Sequence, residues 1–176
     1  VSDYVPKSMT TKRWELLARR IEGAVEERRA KEQARKSTRI ADLVRSVQSE
    51  LVRATNIEAI DEAICETLVD ADPYLFAWIG EHNAETETVD VRSAAGVDEG
   101  YLDAVDISAD ERETGQGPTG TAIQTRSVAV VQDISRDPDF EPWRSEALDR
   151  GFYASASVPL SYDDTLYGVL NLYADR

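Results

Sequence analysis

Between Gly23 and Pro73 the chain contains neither glycine nor proline, so nothing in that stretch forces a helix to stop. Trp14, Leu17, Ile21, Ala24 and Val25 recur at helical spacing and form an apolar stripe. Residues 26–39 are almost wholly polar, with acids and bases at distances that suit exposed pairing along a helix. Ile40, Leu43, Val44, Val47 and Leu51 then restart the stripe. The pattern predicts a helix over about 11–54, continuous or broken in its polar middle, which could span about 60 Å. One small core cannot bury both stripes, so this helix is expected to leave its domain or pair with another chain.

After it, Thr55 followed three residues later by Glu58 reads as a capping box that starts a second helix. Asp61 and Glu62 suit its positive end, Ile57, Ile60, Ile64 and Leu68 would be its buried face, and Pro73 closes it. The period then changes. Tyr74–Ile79 is a continuous apolar run of strand length, and Val89, Val91 and Ser93 alternate between Gly80 and Gly96, so a hairpin is expected. Val128–Val131, Ser155–Leu160 and Leu166–Tyr173 supply three more strands, the last two joined through Tyr162-Asp163-Asp164. Short helices are expected near 119–125 and 142–150, the second with Pro142 at its start and Gly151 past its end. This order is α+β with a mainly antiparallel sheet, not alternating βα.

A length of 176 residues fits one domain plus an attachment. No apolar run approaches a membrane span and no leader pattern precedes the first charged segment, which points to a cytoplasmic protein with no membrane partner. Charge is unevenly spread: residues 1–50 carry 12 Lys/Arg against 8 Asp/Glu, and residues 51–176 carry 8 against 26. All four lysines, Lys7, Lys12, Lys31 and Lys36, lie at the start of the chain. So acidic a field repels phosphates, and no direct nucleic-acid contact is expected. It suits a cytoplasm at molar salt, where repulsion is screened within about 3 Å, and hence a halophilic source.

Candidate chemistry is sparse. Gly115-Gln116-Gly117-Pro118-Thr119-Gly120 matches a dinucleotide fingerprint, with Asp133 downstream. However, residues 110–114 are not a buried strand, the following helix is too short for a parallel crossover, and Pro118 removes a backbone N–H. A glycine turn feeding a short helix is the expectation. Cys65 reads as a small buried hydrophobe and His82 as a turn residue, so no nucleophile–base set and no metal centre can be assembled. Phe140, Trp143, Phe152, Tyr153, Ser155 and Ser157 have the composition of a small-molecule pocket, and equally that of a core closed over one sheet face.

Two resemblances follow from particular segments. The run Gly115–Ile134, then Ser157-Val158-Pro159-Leu160, then Tyr167-Gly168-Val169-Leu170-Asn171-Leu172, makes residues from about 38 onward resemble a GAF domain. That resemblance implies a central antiparallel sheet with helices on one face and a ligand pocket on the other. By position it implies ligand-binding roles for Phe76, Trp78, Thr119, Thr121, Phe140, Trp143, Tyr153, Ser155 and Ser157. Val1–Ser8, with Lys7, and the segment Leu16–Ile21 resemble the last strand and helix of a response-regulator receiver domain, whose phosphoacceptor would lie upstream. The implied division is a receiver remnant and linker helix over 1–36 and a sensory domain over 37–176.

Departures narrow the reading. Arg176 follows directly on the last strand, whereas the family usually ends with a helix along its first one, a second reason to expect a homodimer through the long helix. No lysine follows Lys36, so the Asn-Lys-x-Phe-Asp-Glu motif of cyclic-nucleotide binders is missing. Cys65 alone cannot supply the cysteines of the methionine-sulfoxide reductase branch, nor is it placed for bilin attachment. The expectation is a non-catalytic sensory module of a two-component-type protein, between a receiver and an output domain that regulates transcription. It would bind an unidentified small molecule, with no cofactor named by the sequence, and relay it through a dimerising helix. The alternatives are a ligand-free dimerisation spacer and, less favoured, an enzyme on the same scaffold.

Overall fold

A computed structural model describes residues 7–175, and of residues 7–13 and 15–17 only the backbone. The expected receiver-like strand at 1–6 lies outside the described residues, and Lys7, assigned to it from sequence, is the first residue of a helix. The chain divides into two compact units, Val1–Val44 and Arg45–Arg176. In the first, every described residue belongs to α1 (Lys7–Arg53), which also opens the second unit. α1 is a single unbroken helix, so the polar stretch at 26–39 does not divide it. Ion pairs one turn apart, Lys31 Nζ to Glu27 at 2.6 Å and Arg28 Nε to Glu32 at 3.0 Å, line that stretch. Among the described residues no helix is long and apolar enough to cross a membrane.

The second unit continues with α2 (Ile57–Val69), β1 (Tyr74–Asn83), β2 (Thr88–Gly96), α3 (Tyr101–Ala104), α4 (Pro118–Thr125), β3 (Ala129–Val131), α5 (Arg144–Asp149), β4 (Ala154–Tyr162) and β5 (Thr165–Ala174). A 3-10 turn at Glu113–Gly115 precedes α4. A six-residue 3-10 helix, Pro138–Trp143, precedes α5, so Pro142 lies within it and not at a helix start. The five strands form one antiparallel sheet in the order β2-β1-β5-β4-β3. The α+β class and antiparallel topology expected from the sequence are therefore present. Residues Gly168–Ala174 of β5 are all buried, as the strand sits mid-sheet between β1 and β4.

Two local details differ from expectation. The cap of α2 is Asn56, not Thr55: its Oδ1 accepts the Ala59 N–H at 2.9 Å from an extended backbone. The buried face of α2 is Asp61, Cys65 and Leu68, while Ile57 is exposed. A charge turns the helix this way. Arg92 is the extra residue of a bulge in β2, since Ile79 pairs with Ser93 and Gly80 with Val91. The bulge re-aims the Arg92 side chain. Its Nη2 lies 2.8 Å from Asp61 Oδ2, and its Nη1 donates to the Tyr167 carbonyl at 2.7 Å. One guanidinium thus joins α2, β2 and the strand leading out of the β4–β5 turn.

Burial pushes the Asp61 carboxyl above its usual pKa, against the pull of Arg92. A folded pKa above the unfolded one means that the folded state holds the proton more tightly, so this group's contribution to stability declines as pH rises through the raised value. Arg92→Ala should cost about 3 kcal/mol at neutral pH, because it strands a buried carboxylate. Relative to the unmodified chain, that deficit should shrink as pH falls and Asp61 takes up its proton. Urea unfolding between pH 4 and pH 7 checks both points, and a pH-independent deficit would contradict the account.

Candidate ligand-binding site

Strand pairing decides which side chains meet. In register across the sheet, Phe76 lies beside Tyr173, Tyr173 beside Ser155, and Ser155 beside Val131. The next row on the same face is Trp78, Asn171, Ser157 and Ala129. The opposite face carries Ala77, Leu172, Ala156 and Val130, with α2 packed over the β1–β2 end. Apart from β3, which joins the sheet edge, the segments between β2 and β4 supply the residues packed on the first face.

That covering is a cluster of rings. Phe76 stacks on Phe152 with centroids 5.7 Å apart and planes 3° apart. Tyr173 lies 4.9 Å from Phe152, and Tyr101 meets Tyr173 edge-on at 5.4 Å. Phe140 and Trp143 complete the cluster from the 3-10 helix. Main-chain carbonyls pin it: Trp143 Nε1 donates to Asp106 O at 2.8 Å, and Arg144 donates to Ile134 O and Asp137 O. Arg150 donates to Asp98 O and Glu99 O, with its guanidinium 5.7 Å from the Tyr101 ring centre. Burial pushes the Tyr101 and Tyr173 phenols well above their usual pKa, so both remain neutral donors.

The glycine motif closes one side. A Cβ on Gly117 would come within 2.2 Å of the Trp143 ring, and one on Gly120 within 2.0 Å of the Gly115 carbonyl. The motif is a close-packed turn feeding α4, as expected, and the wholly antiparallel sheet has no parallel crossover for a dinucleotide. α4 delivers Thr119 to the sheet, where its Oγ1 donates to Asn171 Oδ1 at 2.8 Å. Ser157 Oγ donates to the same oxygen at 2.6 Å. All three residues are buried.

Between Tyr101, Ile107, Pro118, Thr119, Phe140, Trp143 and Tyr173 remains a cavity of only about 10 Å³, room for one water molecule. Trp78 Nε1, wholly buried, meets no acceptor at full hydrogen-bond geometry among the described residues, but the Tyr173 phenol is near enough for Trp78 to pull that phenol's pKa down. A much larger concavity, about 450 Å³, opens elsewhere, lined by uncharged residues that include Tyr74, Val130, Ala156 and Leu172.

Of the residues named from sequence, Phe76, Trp78, Thr119, Phe140, Trp143, Ser155 and Ser157 are all buried on or over this one sheet face. Thr121 stands apart, with its hydroxyl on the Gln116 carbonyl, and Tyr153 is half exposed. The list from sequence omitted Tyr101, Asn171 and Tyr173. Asn171 and Tyr173 follow from period-two alternation once β5 is paired with β4, whereas Tyr101, in a four-residue helix, carries no sequence signal. Cys65 is buried under α2, its thiol pushed up to about 11 by burial, and His82 Nε2 lies 3.0 Å from Glu87 Oε2. Among the described residues no group of three or more His, Cys, Asp or Glu could hold a metal ion.

Residues 54–176 match the family model of the GAF domain. The chain belongs to the GAF domain family. It is 30% identical over 136 residues to the bacterioopsin transcriptional activator of Halobacterium salinarum, a match covering 75% of this chain but 18% of that protein. The chain thus spans less than a fifth of that relative's length. Its fold resembles the GAF domain of a phosphoenolpyruvate-protein phosphotransferase from Coxiella burnetii, with a TM-score of 0.64, 14% identity and 78% of each chain covered. It also resembles free methionine-R-sulfoxide reductase from Neisseria meningitidis, with a TM-score of 0.58, 18% identity, and 74% of this chain and 70% of that one covered. At those identities the likeness is one of fold.

Asn171→Ala should cost about 2 kcal/mol, since it leaves the buried Thr119 and Ser157 hydroxyls without their common acceptor. Amide exchange in α4 should speed up more than in β1. Urea unfolding and hydrogen exchange measure the two effects, and unchanged α4 protection would show that the trio does not hold the helix.

Proposed function

We propose that this GAF domain is a non-catalytic sensory module of a two-component-type protein that regulates transcription. It binds a small molecule at the aromatic cluster and relays binding through α1. The observation that carries this reading is chemical: rings, two neutral phenols and the buried Trp78 N–H converge on one sheet face under the excursion between β2 and β4. Aromatic walls with few polar groups are the usual make-up of a small-molecule site. The ligand class that suits them is small and flat, with an oxygen or nitrogen acceptor for the Trp78 N–H. Entry requires Phe140 and Trp143 to move aside, so binding favours a second arrangement of the 3-10 helix and α5.

A non-catalytic role is supported by the setting of the chain's single cysteine and single histidine: the thiol is buried, and the imidazole sits beside Glu87. The relative from Halobacterium salinarum supports a transcriptional output and, with the acidic composition, a cytoplasm at molar salt. The receiver remnant over residues 1–36 and the homodimer belong to the same proposal. The narrowness of the cavity favours a second reading, in which the rings are simply core and the domain is a ligand-free spacer between dimer partners.

The deciding measurement is mass spectrometry of small molecules released on denaturing protein purified in molar KCl. A stoichiometric compound is expected, and Trp143→Ala should lower its occupancy at least tenfold. No compound, even after incubation with cell extract, would overturn the sensor reading in favour of the spacer.

A further inference from the structure

The long helix carries a second pattern beneath its apolar stripes. Of the fourteen residues at 26–39, nine are charged, and the uncharged ones are Ala30, Gln33, Ala34, Ser37 and Thr38. Ala30, Gln33 and Ser37 fall at intervals of three and four residues. The same rhythm continues without a slip through Ile40, Val44, Val47 and Leu51. This is a heptad seam three repeats long with no charge at any of its positions. Because α1 is one unbroken helix, these residues share one face. Of the paired charges, Arg28, Lys31 and Glu32 fall at outer positions of this heptad, and Glu27 flanks the seam just before its first residue. Most of the seam is open: Ile40 is 62% exposed, Val44 49% and Leu51 40%, while Val47 is half-buried.

The N-terminal stripe does not share this seam. At about 100° per residue, Ile21 and Ile40 point about 100° apart around the helix. Extending the heptad of Trp14, Leu17, Ile21 and Ala24 brings Arg28, Lys31 and Arg35 to successive core positions. Two copies joined along that register would press like charges together.

We infer that residues 30–51 of α1 form a parallel, in-register seam with a second copy of this chain, and that the Trp14/Ile21 face takes no part in it. This rests on the dimer in the function proposed above and specifies its interface. The second copy is the occupant because the seam suits itself. In parallel register Gln33 meets Gln33 and Ser37 meets Ser37, so each polar group faces one that can bond it. The antiparallel alignment that sets Val44 against Ile40 would set Gln33 against Leu51 and Ser37 against Val47, burying both polar side chains against hydrocarbon. Flanking positions are compatible as well, since Lys36 meets Ala41 and Leu43 meets Gln48, with no like charges opposed.

The test is disulfide trapping of the full chain in 1 M KCl, with Cys65 left in place as a buried thiol that does not crosslink. Ser37→Cys should give mostly covalent dimer under mild oxidation, and Ser49→Cys, off the seam, little. Equal crosslinking of the two, or none with Ser37→Cys, would overturn the seam. Crosslinking only when Ser37→Cys is mixed with Val47→Cys would overturn the parallel register. In sedimentation, Val44→Asp should shift the dimer to monomer at micromolar concentration while Ile21→Asp leaves it dimeric, and the reverse would assign the interface to the other stripe. Trapped Ser37→Cys dimer in protein that releases no small molecule would uphold the seam while removing the sensor half of the proposed function.

Discussion

One buried oxygen fixes the geometry of the site. Asn171 Oδ1 accepts hydroxyls from Ser157 on β4 and Thr119 on α4. A polar atom shut away from water must find partners, and here one comes from the neighbouring hairpin strand and the other from a helix 52 residues away in sequence. Because Asn171 stands in the central strand, this bond sets the height at which α4 crosses the sheet. The height in turn decides how closely the glycine turn approaches Trp143. Only Gly117 leaves room for that ring, and the ring fixes the volume beneath it. The glycines therefore serve packing, and they mimic a phosphate-binding fingerprint because close backbone approach is what both uses require.

A pocket filled by its own side chains needs a physical account. Six aromatic rings around Tyr173 form a core that stabilises the domain by itself. A ligand entering there competes with ring–ring contacts, so its affinity is reduced by the work of displacing Phe140 and Trp143. The same competition makes binding consequential, since a ligand that moved nothing could report nothing. The Trp78 N–H fits this picture: a donor short of full hydrogen-bond geometry inside a packed core is a cost that an acceptor on a ligand would relieve.

The fold was legible in the sequence to the extent that one period governed each segment. The Tyr74–Ile79 run, the alternation around Val91 and the Gly-Val-Leu strand gave the sheet, and the stretch free of glycine and proline gave α1. What could not be read lay where tertiary contacts override local preference. Ile57 fits a buried helical face, yet the Arg92 bulge rotates Asp61 inward instead, and a bulge leaves no mark on a strand's alternation until its partner is known. Asn56 replaced Thr55 as the cap through backbone geometry alone. In the site, Trp143 and Ser157 were legible as aromatic and hydroxyl-bearing residues near the sheet. Tyr101 was not, because it enters from a single turn of helix with no periodic neighbours.

The same bulge bears on how binding could leave the site. Phe76 and Trp78 lie on β1, and β1 pairs from Phe76 to Asn83 with β2, which carries Arg92. Arg92 holds Asp61 of α2, and α2 begins at Ile57, four residues after α1 ends at Arg53. If the proposed ligand shifted β1, one ion pair and one short connection would link that shift to the C-terminal end of the proposed seam. Ion pairs of this kind are two-state elements, made or broken, and a buried one tolerates little in between. For the signal to pass, the ligand must prefer one state of that pair, and the seam must prefer one rotation of the helix. In the proposed seam the small residues Ala30 and Ser37 offer little resistance to a modest rotation, while Ile40 and Leu51 set its limit. In that proposal the uncharged seam and the buried Arg92–Asp61 pair are the places where the balance would be set.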